Sequence, residues 1–173
     1  EQAHARNIEV HAWFNPYRAK SSSGHAVAAN HPVNTLSEHV RTYGDLVWLD
    51  PGSEQVRDHT VAVILDVVDR YDVDGVHFDD YFYPYPNGNE FPDGPTWSAY
   101  QSGGGALSRD DWRRDNVNRL MEAVSDGVHA LDPDVRFGIS PFGIYRPGTP
   151  PGISGLDQYA EIYADPVHWV EQG

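Results

Sequence analysis

The chain has 173 residues, of which 39% are hydrophobic and 12% aromatic, and this is enough apolar material for one ordinary folded domain. Its formal net charge is -14 at pH 7, which argues against nucleic-acid partners because their phosphates are met by clustered Lys and Arg. The absence of cysteine excludes disulfides, thiolate metal sites and cysteine nucleophiles. No apolar run approaches the roughly 20 residues of a membrane-spanning helix.

The first ten residues, EQAHARNIEV, lack the basic and apolar regions of a signal peptide. They resemble the end of a helix that leads into a strand. We therefore expect the chain to be part of a longer one, with exposed edge strands when it is isolated.

Short apolar segments alternate with helical patterns along the chain, and this alternation is typical of parallel α/β proteins. Ser53 and Asp165 are expected to cap two of the helices at their N-termini. In chain order the predicted elements are a strand over residues 8–15, a helix over 53–71, a strand over 74–81, a helix over 110–131, a strand over 135–143 and a helix over 165–173.

Each predicted strand has one apolar face and one polar face, because side chains alternate along a strand. A barrel packs the outer strand face against helices and gathers polar groups at its carboxyl mouth, whereas open doubly wound sheets bury both faces. We predict a (β/α)8 TIM barrel, of which residues 1–173 supply about three strand–helix units. The alternative is a sheet whose polar face meets solvent. The polar faces carry Glu9, His11, Trp13 and Asn15, then Gly75, His77, Asp79 and Tyr81, then Arg136, Gly138 and Ser140.

Asp79 and Asp80 are the candidate catalytic carboxylates at the end of the second strand. Alternation places Asp79 on the same face as His77, pointing into the mouth, and directs Asp80 outward or into the turn. A carboxyl group among rings that exclude water is a suitable proton donor for glycoside hydrolysis, which needs a second carboxylate as nucleophile or base. The alternative is structural, with Asp80 capping the loop and Asp79 bonding a neighbouring strand.

The segment after this strand, residues 81–112, is rich in aromatic residues and is predicted to lack regular structure. Aromatic rings with a polar handle match the apolar faces and polar rims of sugars. We expect about half of these rings to cover helix ends instead. The rings are Tyr81, Phe82, Tyr83, Tyr85, Phe91, Trp97, Tyr100 and Trp112.

No metal or other cofactor is predicted. His11, His77, Asp79 and Asp80 are of ligand type, but neither a His-x-His pair nor an H-E-x-x-H motif occurs. A metal-dependent hydrolase and a non-catalytic carbohydrate-binding barrel remain the alternatives. Because a G-x-S-x-G motif is also lacking, Ser140 is expected to donate a hydrogen bond and not to attack carbon.

Four motifs together resemble the bacterial glycosyl-hydrolase-like 10 family: HAWFNPYR (11–18), DGVHFDDYFYPYP (74–86), DWRRDNVNRL (111–120) and FGISPFGIYR (137–146). The resemblance implies a (β/α)8 barrel whose third to fifth strands lie in this chain. It also implies bacterial glycan substrates, including peptidoglycan strands, handled outside the cytoplasm. The second motif is also similar to the fourth-strand motif of family 18 chitinases, from which His77 and Tyr81 depart.

The family resemblance implies a catalytic carboxylate at Asp79 or Asp80, and Asp79 is the first choice. Asn15 and Arg18 are expected to donate hydrogen bonds to sugar hydroxyls, and His77 to hold Asp79 in place. A second catalytic carboxylate is expected from the rest of the barrel. The predicted sugar-binding residues are Trp13, Asn15, Arg18, His77, Tyr81, Tyr83 and Ser140.

Overall fold

A parallel three-stranded sheet, a small antiparallel sheet and two long helices make up the structure, a computed structural model that describes residues 1–172. The strands are β1 (His11–Phe14), β2 (Arg18–Lys20), β3 (Val40–Tyr43), β4 (Leu46–Leu49), β5 (Gly75–Phe78) and β6 (Arg136–Ile139). The helices are α1 (Pro32–Thr35), α2 (Glu54–Arg70), α3 (Gly94–Ser102), α4 (Arg109–Leu131), α5 (Gln158–Glu161) and α6 (Pro166–Gln172), with 3₁₀ turns at His4–Arg6 and Ser37–His39.

The parallel sheet has the strand order β1-β5-β6, with β5 in the centre. α2 lies between β1 and β5 in the chain, and α4 lies between β5 and β6. Trp13 is opposite His77, and His77 is opposite Gly138, so the polar faces of the three strands coincide. The predicted strand–helix alternation is confirmed, although each strand is shorter than its apolar segment.

The long helices begin where the sequence supplies a cap. Ser53 Oγ accepts a hydrogen bond from Val56 N at 3.3 Å, as predicted for α2. α4 begins one residue earlier than predicted because Ser108 caps it by accepting from Asp111 N at 3.2 Å. α6 begins after Asp165, as predicted; Gly173, the last residue of that predicted helix, lies outside the described residues.

The core lies between the outer face of the parallel sheet and the two long helices. Val76 and Phe78 of β5 are fully buried there. Gly127 lets α2 approach α4, since a Cβ at this position would lie 2.9 Å from Leu65 Cδ1. The buried helix residues are Val56, Thr60, Ile64 and Val68 on α2, and Trp112, Arg113, Asn116, Val117, Leu120, Met121, Val124 and Val128 on α4.

The antiparallel sheet, in the order β2-β4-β3, was not predicted. β4 is buried along almost its whole length, so its residues LVWL form a continuous apolar run without the alternation that marks a half-exposed strand. A two-residue turn joins β3 to β4, and Gly44 there has a φ of +61°, which favours glycine.

The prediction that residues 81–112 lack regular structure is wrong, because α3 forms within this segment. Pro95 in its first turn is compatible with a helix start. Among residues 1–172, we find no helix with the length and apolar character needed to cross a bilayer.

Candidate active site at the carboxyl ends of the parallel strands

Asn15, Asp79 and Ser140 each directly follow the last residue of a parallel strand. Phe14 is opposite Phe78, and Phe78 is opposite Ile139, so the next residues form one row across the sheet. Functional residues of α/β barrels lie at this edge, where the strands end. The row follows from strand alternation, as the sequence predicts.

Asp79 is held by N–H donors at both of its carboxyl oxygens. Asn15 Nδ2 lies 3.2 Å from each oxygen, and the backbone N of Tyr81 donates to Oδ1 at 3.0 Å. The backbone N of Arg18 donates to Asn15 Oδ1 at 2.8 Å, and this contact fixes which end of the Asn15 amide faces Asp79. Such a set of donors matches an ionised carboxylate, which only accepts hydrogen bonds.

His77 does not hold Asp79, contrary to the sequence expectation. Its Nε2 lies 3.1 Å from Ser140 Oγ, across the gap between β5 and β6. Because side chains alternate along the strand, His77 lies one step below Asp79 on the same face, and the end of the neighbouring strand is within its reach. Asp79 is therefore flanked by Asn15 on the side of β1 and by the His77–Ser140 pair on the side of β6.

Asp80 lies just beyond the strand, where Tyr85 donates its hydroxyl hydrogen bond to Oδ2. Burial raises the pKa of Tyr85 above its ordinary value, and the hydrogen bond to Asp80 adds to the shift. The Tyr85 ring packs edge-on against Tyr81 and Phe142, with centroid distances of 5.2 and 6.1 Å. Asp80 thus accepts a hydrogen bond within the aromatic segment that follows β5. This role is close to the structural alternative considered from the sequence, in which Asp80 caps the loop.

Two of the predicted sugar-contacting rings lie on the site's face of the sheet. Trp13 is 63% exposed and lies next to His77 in the register. Tyr81 is half-buried, and the Arg18 Cζ lies 4.8 Å from the centroid of its ring. The structure therefore brings Trp13, Arg18 and Tyr81 close to the row of polar strand ends.

Tyr83 is not in the site, which corrects its prediction as a sugar-binding ring. It is only 1% exposed and packs against Phe91 and Tyr163, with centroid distances of 5.2 and 4.9 Å. Burial raises the pKa of its hydroxyl well above the ordinary value. Of the eight rings between residues 81 and 112, four are buried in the same way: Phe82, Tyr83, Phe91 and Trp112.

Trp48 supports the site, although nothing in the sequence pattern pointed to it. Its Nε1 donates to the backbone carbonyl of Phe82 at 2.9 Å, and its ring lies 6.4 Å from that of Tyr81. On the other side, Thr60 Oγ1 donates to the carbonyl of Pro16 at 3.1 Å and anchors the turn after Asn15. Hydrogen bonds between distant segments leave no periodic signal in a sequence.

A metal centre has no clear place in the described part of the chain. Within residues 1–172, no three His, Asp or Glu side chains are grouped so that they could hold a metal ion. The four ligand-type residues considered from sequence have other partners. His11 lies 3.2 Å from Glu9, and His77 bonds Ser140. Asp79 and Asp80 accept hydrogen bonds from Asn15 and Tyr85, as described above.

The parallel strands, their crossover helices and the polar row at the strand ends define a partial (β/α)8 barrel of the glycosidase type. In fold it is similar to α-L-fucosidase isoenzyme 2 from Paenibacillus thiaminolyticus, with a TM-score of 0.54 and 11% identity over 83% of this chain and 22% of that one. The profile described as Glycosyl hydrolase-like 10 matches residues 1–173, and the chain belongs to this family.

Two curated relatives match the whole chain. The glycosyl hydrolase YngK of Bacillus subtilis (strain 168) is 43% identical over 182 residues, and the glycosyl hydrolase DigH of Escherichia coli (strain K12) is 40% identical over 187 residues. The chain spans 35% of the length of YngK and 42% of that of DigH. The resemblance seen in the four motifs is thereby confirmed.

Proposed function

We propose that the protein is a glycoside hydrolase and that Asp79 is one of its catalytic carboxylates. The observation that carries this proposal is the double contact of Asn15 Nδ2 with both oxygens of Asp79, at 3.2 Å each, at the carboxyl ends of adjacent parallel strands. The family and its relatives named as glycosyl hydrolases support it.

The donors around Asp79 indicate which half of the chemistry it performs. Glycoside hydrolysis uses one carboxylic acid to protonate the leaving oxygen and one carboxylate as nucleophile or base. Asn15 and the backbone of Tyr81 offer only N–H groups, so Asp79 acts as the carboxylate and not as the acid. The acid comes from Asp80 or from a barrel strand outside residues 1–173.

The sugar would lie along the polar face of the sheet. Trp13 and Tyr81 offer rings for its apolar faces, and His77 and Ser140 offer hydrogen bonds for its hydroxyls. Such a site suits a bacterial or environmental polysaccharide, including the glycan strands of peptidoglycan. Because those glycans lie outside the cytoplasm, we propose an extracytoplasmic location for the full-length protein.

The test is Asp79→Asn in the full-length protein, with release of new reducing ends from purified peptidoglycan and from a polysaccharide panel as the readout. Loss of an ionised catalytic group should lower kcat by about 10²–10⁴-fold, while glycan binding by calorimetry is retained. Asp126→Asn, an exposed change of the same type on α4, is the matched control.

Asp80→Asn separates the two adjacent candidates. The amide oxygen of the substituted side chain still accepts from Tyr85, so a structural Asp80 predicts nearly normal turnover, whereas a catalytic acid predicts a loss comparable to that of Asp79→Asn. Wild-type turnover in Asp79→Asn overturns the proposal. Binding without hydrolysis in the wild type would indicate a carbohydrate-binding barrel instead, and activity abolished by a chelator would indicate a metal-dependent hydrolase.

A further inference from the structure

Arg18, at the candidate active site, has no acidic partner for its guanidinium group among the described residues. Within that same part of the chain, nine of the eleven arginines form salt bridges with Asp or Glu. Within residues 1–172, Arg18 forms none, and its side chain makes no hydrogen bond. The chain has 26 acidic residues, so an arginine that pairs with none of them in the described structure is unusual.

The Arg18 side chain lies next to a residue that contacts Asp79, and not in open solvent. It is half-buried, its Cζ lies 4.8 Å from the Tyr81 ring centroid, and its own backbone N bonds Asn15. Both Asn15 and Tyr81 also donate to Asp79. A ligand that contacts Asp79 therefore has Arg18 within the reach of its neighbouring sugar unit.

Arg18 lines a cavity of about 170 Å³, hereafter the Arg18 cavity, between the turn after β1 and the helices α1 and α2. His31 and His59 also line it, and its walls contain no Asp or Glu among the described residues. His31 Nδ1 accepts from the backbone N of Val33, so its Nε2 is the nitrogen that carries a proton. The rest of the lining is largely apolar, so Arg18 supplies the charge in this cavity, and no described side chain of the lining would repel a negatively charged group.

We propose that the Arg18 cavity binds a carboxylate carried by the glycan, and that Arg18 makes the enzyme prefer acidic over neutral polysaccharides. This inference deepens the proposed function and rests on it. The planar guanidinium presents paired N–H donors that match a carboxylate, and stacking on Tyr81 keeps the group oriented. A half-buried charge without a protein partner is stabilised when the ligand supplies the opposite charge.

The carboxylate role differs from the one expected from sequence, where Arg18 donates to sugar hydroxyls. A hydroxyl group does not neutralise the charge of a guanidinium. A cavity wall without acidic side chains therefore does not strengthen the binding of a neutral sugar. The absence of Asp and Glu from the described walls of the cavity is explained by a carboxylate ligand, because a protein carboxylate there would compete for Arg18 and repel the substrate.

The test uses one acidic glycan and its carboxyl-reduced form, in which each carboxylate is converted to a primary alcohol. Binding is measured by calorimetry on the full-length Asp79→Asn protein, with and without the additional change Arg18→Gln. The kcat/KM values are measured on the full-length protein that keeps Asp79, again with and without Arg18→Gln. We expect the acidic form to be preferred by about 10–100-fold, the range for a charge-assisted hydrogen bond, and Arg18→Gln to abolish most of this preference. Arg119→Gln, which removes an equal charge from the exposed face of α4, is the control.

Arg18→Lys provides a second variant, because it keeps the charge and loses the planar fork; an intermediate preference is expected. The preference should also fall with added salt in the Arg18 protein. An unchanged ratio of acidic to reduced glycan in Arg18→Gln, or an equal loss on both forms, overturns the inference. These binding outcomes are independent of hydrolysis, so a failure of the proposed catalytic role of Asp79 is distinguishable from a failure of the Arg18 role.

Discussion

The indole N–H of Trp48 bonds the backbone carbonyl of Phe82 at 2.9 Å and so ties the antiparallel sheet to the segment that follows Asp79. Both residues are fully buried. Trp48→Phe leaves that carbonyl without its partner, and we expect a loss of about 1–3 kcal/mol in the free energy of unfolding. Urea unfolding measures it, with Trp13→Phe at an exposed tryptophan as the control. Equal midpoints for the two variants would contradict the prediction.

Asn15→Ala should lower the catalytic efficiency more than the stability. The substitution removes the amide that contacts both oxygens of Asp79, a hydrogen bond to a charged group, and the expected loss of kcat/KM is about 10–100-fold. Asn15→Asp should lose more, because it places a second negative charge against Asp79. Steady-state kinetics of the full-length variants check this order, and a more active Asn15→Asp would refute it.

The buried ion pair between Arg113 and Asp93 should contribute strongly to the free energy of unfolding, through the N-terminal half of α4. Arg113 Nε lies 2.7 Å from Asp93 Oδ2, and both side chains are almost fully buried. Burial alone lowers the pKa of Arg113, but the hydrogen bonds to Asp93 outweigh it and raise the pKa. Arg113→Met leaves a buried carboxylate short of partners and should cost about 3–5 kcal/mol, measured by urea unfolding.

The matched control for this pair is Arg119→Met on the same helix. Arg119 pairs with Asp115 in an i,i+4 arrangement and is 55% exposed, so its loss should cost no more than about 1 kcal/mol. Similar costs for the two variants would show that the Arg113 pair does not carry the expected stability.

The N-terminal segment should be held to β5 in a pH-dependent manner through His4 and Asp74. A hydrogen bond from His4 to Asp74, at 2.7 Å, raises the pKa of His4 above 6.5. Its charged pairing is fully present below pH 6.5 and is lost as the pH rises through the raised value. The pKa of Asp74 is lowered, first by the Val10 N–H and then by His4, so its contribution is lost only as the pH falls below 3.8.

NMR titration of the His4 ring measures the first of these shifts. Exchange protection of the Val10 amide, corrected for its intrinsic pH dependence, should decline as the pH rises above 6.5 and the His4 ring loses its proton. In His4→Ala that decline should vanish, because the titrating partner is gone. A His4 pKa at or below 6.5 would contradict the predicted coupling.

Strand alternation and helical spacing were enough to predict the parallel sheet, α2, α4 and the position of Asp79 beside Asn15. These features depend on periodic burial, which a sequence records directly. The antiparallel sheet was missed because β4 is buried on both faces. The partner of His77 and the burial of Tyr83 were predicted incorrectly, since both depend on contacts between segments far apart in the chain.

The row formed by Asn15, Asp79 and Ser140 restricts how the length of β5 can change. A single inserted or deleted residue within GVHF would rotate every following side chain to the opposite side of the sheet, directing Asp79 towards the helices and Asp80 towards the polar face. Only insertions or deletions of two residues would keep the Asp79 side chain on the same face, and these would move it by two residues along the strand direction. Homologous chains that keep the chemistry are therefore expected to show gaps in the loops around this strand and an invariant spacing inside it.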